Sequence, residues 1–117
     1  PAARRFVALE EWLNDGVPLS APVARQCIGG WYGRNEPAGL AWRVAGQVVD
    51  PALWQGPAFA AIPHRDRIVP PASALALTGR LRQVKLHMAP AGHIGMVAGI
   101  SAETALWQPL RDWLRGL

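Results

Sequence analysis

Apolar residues recur at helical spacing in ARRFVALEEWLND. Phe6, Leu9 and Leu13 share one face, Val7 and Trp12 lie beside it, and Asn14-Asp15-Gly16 closes the pattern. PLSAPVARQCIGGWYG carries a weaker helical pattern, with Ser20 in the N-cap position, Pro22 in the first turn and Gly29-Gly30 weakening the end. NEPAG reads as a loop. In LAWRVAGQVVDP, apolar and polar residues alternate on either side of Ala45-Gly46, which predicts a small hairpin. Ala58 to Ile62 is a continuous apolar run, as expected of a strand buried on both faces of a parallel sheet. PPASALALTGRL predicts a helix that starts at the prolines and stops near Gly79. VKLHM, residues 84–88, reads as a second strand. In SAETALWQPLRDWLRGL, the residues Leu106, Leu110, Trp113, Leu114 and Leu117 fall on one helical stripe, with Ser101 as a possible N-cap. Pro109 predicts a kink there, or a helix whose straight part begins near Trp107.

Strand, helix, strand, helix is a βαβα unit, so the strands are expected to be parallel and joined by a right-handed crossover. Their carboxyl ends then share one edge of the sheet, the edge at which sites assemble in open α/β sheets. Asp66, in PHRDRIVPP, follows the first strand, and His93, in APAGHIGMV, follows the second. The topology thus carries a carboxylate and an imidazole to neighbouring loops. An Asp bonded to one ring nitrogen of a His fixes its tautomer and stabilises the imidazolium formed when the other nitrogen takes a proton. Arg65 and Arg67 flank the acid and are expected to favour its ionised form. Gly92 offers a sharp backbone turn before His93, Gly95 loosens the stretch after it, and Pro70-Pro71 stiffens the exit from the acid loop. Taken singly, each residue has a plainer role: Asp66 as a turn former, His93 as a core histidine satisfied by backbone. Their matched placement favours the pair.

Composition narrows the field. A chain of 117 residues, half of them apolar, holds one small domain. Twelve basic residues against eight acidic give +4, but they are scattered, and Lys85 is the only lysine. That pattern speaks for a solvated surface rather than a nucleic-acid face. Cys27 is the single cysteine, so no intrachain disulfide forms, which fits a reducing, cytoplasmic setting. The longest apolar runs fall far short of a membrane span, and no signal-peptide pattern is present. The start at PAARRF without Met, and six tryptophans, suggest a piece of a larger protein whose remainder covers apolar surface. His87 lies within the second strand and reads as packed or exposed. His64, Asp66 and His93 have the composition of a facial set for iron. Such a set belongs on a many-stranded β scaffold, so no metal and no cofactor is expected.

The order Asp then His, each after a strand, is that of the last two triad members in α/β hydrolases. PHRDRIVPPASA resembles the acid loop of that fold and AGHIGMV its histidine loop. FVALEEWLNDGVPL, GGWYG and the hairpin ending VVDP are similar to the cap region of poly(3-hydroxyalkanoate) synthase-like proteins. The resemblance implies a partial α/β fold: a helical cap segment over 1–40, a hairpin and connection over 41–55, and the C-terminal strand-helix-strand-helix unit over 56–117. It implies Asp66 as triad acid and His93 as general base, acting on hydroxyacyl esters or thioesters. Synthases of this group carry a Cys nucleophile in a G-x-C-x-G elbow, and their hydrolase relatives carry a Ser. Neither elbow is present. Cys27, in RQCIGG, has no Gly two positions before it and reads as a buried structural thiol. Ser20, Ser73 and Ser101 read as helix-start or surface residues. The chain alone is therefore expected to be inactive, and to sit against the missing part of its protein or to self-associate. A non-catalytic interaction module is the alternative from another class.

Overall fold

In the computed structural model, which describes residues 2–117, the chain divides into two units between Trp42 and Arg43. In the first, helix α1 runs Ala2–Asn14, as the apolar spacing predicts. It buries none of its residues, and Phe6, Val7, Trp12 and Leu13 are exposed. Helix α2, Ala21–Arg25, has Pro22 in its first turn. Ser20 stands at its N-cap in extended backbone, but the hydroxyl makes no cap bond. Its carbonyl alone serves the helix, accepting from the Ala24 N–H at 2.9 Å.

Gly29-Gly30 does not end this helix. The chain widens into a π-helical stretch, Gln26–Gly33, and the Arg34 N–H reaches back to the Gly29 carbonyl at 3.1 Å. Both glycine carbonyls stay in use, that of Gly30 accepting from the Glu36 N–H at 3.0 Å. A Cβ on Gly30 would lie 2.7 Å from Glu36 Oε2, so a side chain there would make that flexible carboxylate shift. Arg34 then holds Glu36 through Nη2 at 2.8 Å. Trp31 and Trp42 close the turn in an edge-to-face contact with centroids 4.8 Å apart.

The second unit opens with the expected hairpin. Strands β1, Arg43–Val44, and β2, Gln47–Val48, are antiparallel, with Val44 opposite Gln47. Ala45 at φ 48° and Gly46 at φ 80° are both left-handed, the geometry that matches a two-residue turn to the twist of its strands. A 3₁₀ turn, Pro51–Leu53, follows, capped by Asp50 accepting from the Ala52 N–H at 2.9 Å.

Strand β3, Ala58–Pro63, helix α3, Pro71–Thr78, and strand β4, Val84–Ala89, come next. The two strands pair in parallel, from Ala58 opposite Val84 to Pro63 opposite Ala89, and α3 packs on β3. A short helix that the apolar pattern did not indicate, α4 at Gly95–Ala98, precedes a π-helical stretch, Glu103–Trp107, that runs into α5, Gln108–Arg115. Pro109 thus lies in the first turn of α5, and Ser101 again contributes its carbonyl, which accepts from the Ala105 N–H at 2.8 Å.

Pro109 has no N–H to give to the Ala105 carbonyl four residues back. His87 Nε2 bonds that oxygen instead, at 2.7 Å, so the ring carries its proton on Nε2. Phe59 stacks on His87 at 5.9 Å and meets Trp113 at 5.4 Å, fixing the C-terminal helix to the sheet. Among the described residues, the buried apolar set is small: Ile62, Ala89, Ala91, Ala102 and Ala105. Leu86, Met88, Trp107 and Leu114 remain exposed, and each strand of the two-stranded sheet has one unpaired edge. No helix among the described residues is long and apolar enough to cross a membrane.

Candidate functional site

Parallel pairing sends the carboxyl ends of β3 and β4 to one edge. There the ladder continues into the loops. The His64 N–H donates to the Ala89 carbonyl at 3.1 Å and the Arg65 N–H to the Ala91 carbonyl at 3.2 Å. The Asp66 N–H turns back to the Pro63 carbonyl at 3.2 Å. Beyond β4, the Met96 N–H donates to the Gly92 carbonyl at 3.0 Å, which places His93 in the turn that leads into α4.

The two residues singled out by topology meet. His93 Nδ1 lies 2.7 Å from Asp66 Oδ2, across 27 residues of chain. Asp66 Oδ1 accepts from the backbone N–H of Ile68 at 2.8 Å and of Val69 at 2.9 Å. The two roles weighed for Asp66 are thus both filled, one by each oxygen: Oδ1 builds the turn and Oδ2 holds the imidazole. The Asp66 side chain is 3 % exposed and that of His93 is 38 % exposed. An ionised carboxylate only accepts, so the proton of this bond sits on Nδ1. Nε2, the opposite nitrogen, bonds nothing among the described residues.

Burial pushes the Asp66 pKa up. The His93 hydrogen bond, the N–H groups of Val69 and Ile68, and the His93 charge outweigh it, and the carboxyl sits below its ordinary value. The flanking arginines are not the cause. Arg65 turns its guanidinium away to the Pro90 carbonyl, with Nη2 at 2.6 Å, and Arg67 is exposed and pairs with no carboxylate among the described residues. Gly92 also differs from expectation. Among the described residues only Gly46 is a glycine with positive φ, and a Cβ on Gly92 would meet the Arg65 carbonyl at an ordinary 3.7 Å.

None of the remaining candidates is bonded to this pair among the described residues. His64 turns Nδ1 to the Ala89 carbonyl at 2.9 Å. His87 is packed in the sheet as described. Among the described residues no group of three or more His, Cys, Asp or Glu could hold a metal ion. Cys27 is half-buried in the π-helical stretch of the first unit, with α2 rather than a strand before it. Ser73 lies within α3, and Ser101 in the turn before the C-terminal helical segment. Sequence reasoning missed the N–H donors of Ile68 and Val69 and the Arg65 bond to Pro90. The first had a signal, since an Asp followed by turn residues commonly captures the N–H two and three positions on.

No family model matches the chain, and no solved structure matches it. A curated protein that does match is the poly(3-hydroxyalkanoate) polymerase subunit PhaC of Haloferax mediterranei, 23% identical over 110 residues. The match takes in 92% of this chain, and the chain spans 22% of the length of that relative. It supports a relationship to poly(3-hydroxyalkanoate) synthases.

Proposed function

We propose that Asp66 and His93 are the acid and the base of an acyl-transfer triad whose nucleophile lies outside these residues. In this reading, β3, α3, β4 and the C-terminal helix form part of a larger α/β-hydrolase-type sheet, and the first unit belongs to its cap. The observation that carries it is the 2.7 Å bond between His93 Nδ1 and a nearly fully buried carboxylate, with Nε2 left free. The match to PhaC and the unpaired outer edges of β3 and β4 support it.

The chemistry follows from the tautomer. Nε2 accepts the proton of a thiol or hydroxyl as its sulfur or oxygen attacks the acyl carbon of a hydroxyacyl ester or thioester. Asp66 Oδ2 holds Nδ1–H and stabilises the imidazolium that forms. The proton on Nε2 then passes to the departing thiolate or alkoxide. With a hydroxyl of a growing chain as the next acceptor the reaction is polymerisation, and with water it is hydrolysis. The same pair serves both.

The test is turnover of a hydroxyacyl thioester by the polypeptide that carries this sequence together with the nucleophile. Asp66→Asn and His93→Ala are each expected to lower kcat by roughly 10³–10⁴-fold. The 117-residue chain alone is expected to show none of this turnover. A chain that acts only as an interaction module, a reading favoured by the exposed apolar residues of α1, would be indifferent to both substitutions.

A further inference from the structure

The exits of β3 and β4 lack donors where the ladder ends. Pro63 closes β3 and Pro90 follows β4, and neither has an N–H to offer. The pairing is nevertheless carried onward by the two residues before the acid. His64 bonds the Ala89 carbonyl twice, through its backbone N–H at 3.1 Å and through ring Nδ1 at 2.9 Å. Arg65 bonds the Ala91 carbonyl through its N–H at 3.2 Å, and its guanidinium Nη2 takes the intervening Pro90 carbonyl at 2.6 Å. Three successive carbonyls, those of Ala89, Pro90 and Ala91, are therefore held from the acid loop. The acid stands one residue past this tie, and the histidine two residues past it.

We infer that Arg65 is a positioning residue: its guanidinium clasps the histidine loop to the acid loop through the Pro90 carbonyl and thereby keeps His93 within bonding distance of Asp66. The inference rests on the pair being the working part of the site. The guanidinium is aimed at a neutral carbonyl rather than at Asp66, so its effect runs through geometry and not through charge. A hydrogen bond of 2.7 Å tolerates little drift, and a shift of about 1 Å in a catalytic group can cost on the order of 100-fold in rate. Arg67 is the natural control. It sits beside Asp66 with the same charge, is exposed, and touches no carboxylate among the described residues.

The experiment reads the His93 ring directly in the full polypeptide that carries this sequence, labelled with ¹⁵N-histidine. The Nδ1–H of a histidine bonded to a carboxylate gives a downfield proton signal protected from exchange with water. Arg65→Met is expected to broaden or remove that signal. Arg65→Lys, which keeps a donor able to reach the carbonyl, is expected to retain it, and Arg67→Met to leave it unchanged. A thermal melt that stays cooperative for Arg65→Met establishes that the loop and not the fold has been altered. A signal in Arg65→Met equal to that of the parent chain overturns the clasp. So does an equal loss in Arg67→Met, which would assign the effect to charge. If Arg65→Met fails to fold, Arg65→Lys and Arg65→Gln decide together: the clasp requires the signal to survive in Arg65→Lys, whose ammonium can reach the carbonyl, and to weaken in Arg65→Gln, whose amide ends two bonds short of the Nη2 position, and an equal signal in both overturns it. The spectrum requires no turnover. Activity insensitive to Asp66→Asn would remove the acyl-transfer reading and leave the clasp standing.

Discussion

The loops after β3 and β4 and the helix α1 show two kinds of order. The loops are tied by hydrogen bonds that span 25 to 27 residues of sequence, and they hold a side chain that is 3 % exposed. Helix α1 is regular along its whole length yet buries nothing, and Phe6 is 65 % exposed. A 13-residue helix with no buried face is marginal on propensity alone. Long-range pairing is what fixes a polar side chain to an ångström. The region with the long-range bonds is also the region that holds the Asp66–His93 pair, while α1 presents an exposed apolar face.

The largest test of this contrast is a pair of truncations. Ile62, 4 % exposed at the end of β3, anchors the strand just before the acid loop. Ile62→Ala is expected to cost about 2–5 kcal/mol in the 117-residue chain, measured by urea denaturation. Phe6→Ala is expected to stay within about 0.5 kcal/mol. A comparable loss at Phe6 would mean that α1 is covered in solution, by a second copy or by another part of the protein, and the contrast would collapse.

A smaller and more local effect lies in acid. The folded-state pKa of Asp66 is lowered, so the unfolded chain takes up the proton first as pH falls. The stabilisation from this carboxylate is fully present above the ordinary Asp value of about 3.9 and is lost as pH drops from there through the lowered folded value. Stability measured between pH 5 and pH 2, on the order of that window, should fall with a steeper slope in the parent chain than in Asp66→Asn. Equal slopes would mean that Asp66 is not held as an ion by its N–H donors and His93.

The parts of the fold that were legible in the sequence were those in which one local signal agrees with the topology. The apolar runs at Ala58 to Ile62 and at 84–88, with helical spacing between them, lead to a parallel pair, and Asp66 and His93 follow from the pair. The Ala45-Gly46 turn was legible because both positions needed positive φ and one was glycine. Other features depend on partners far along the chain. Gly29-Gly30 looked like a stop, but both carbonyls accept from N–H groups further along, that of Gly29 from Arg34 and that of Gly30 from Glu36. Pro109 marked a break correctly, but nothing nearby shows that His87 supplies the missing donor to Ala105. The flanking arginines looked like counter-ions to Asp66. Charge proximity in sequence ignores direction, and Arg65 points to the Pro90 carbonyl.

The finest version of the contrast compares two helix starts, one in each unit. Ser20 and Asp50 both occupy N-cap positions with extended backbone, and by residue type both are good caps. Only Asp50 acts as one, its Oδ1 accepting from the Ala52 N–H at 2.9 Å, while the Ser20 hydroxyl makes no cap bond. Pro22 explains part of the difference, since a proline at the second helical position removes one of the N–H groups a cap would capture. Asp50→Ala should therefore cost about 1 kcal/mol, and Ser20→Ala less than about 0.5 kcal/mol, by thermal or urea denaturation. Equal losses would show that the Ser20 hydroxyl reaches a helix N–H in solution. The first unit would then be more tightly specified at its start than its exposed surface implies, and the difference between the two regions would narrow to α1 alone.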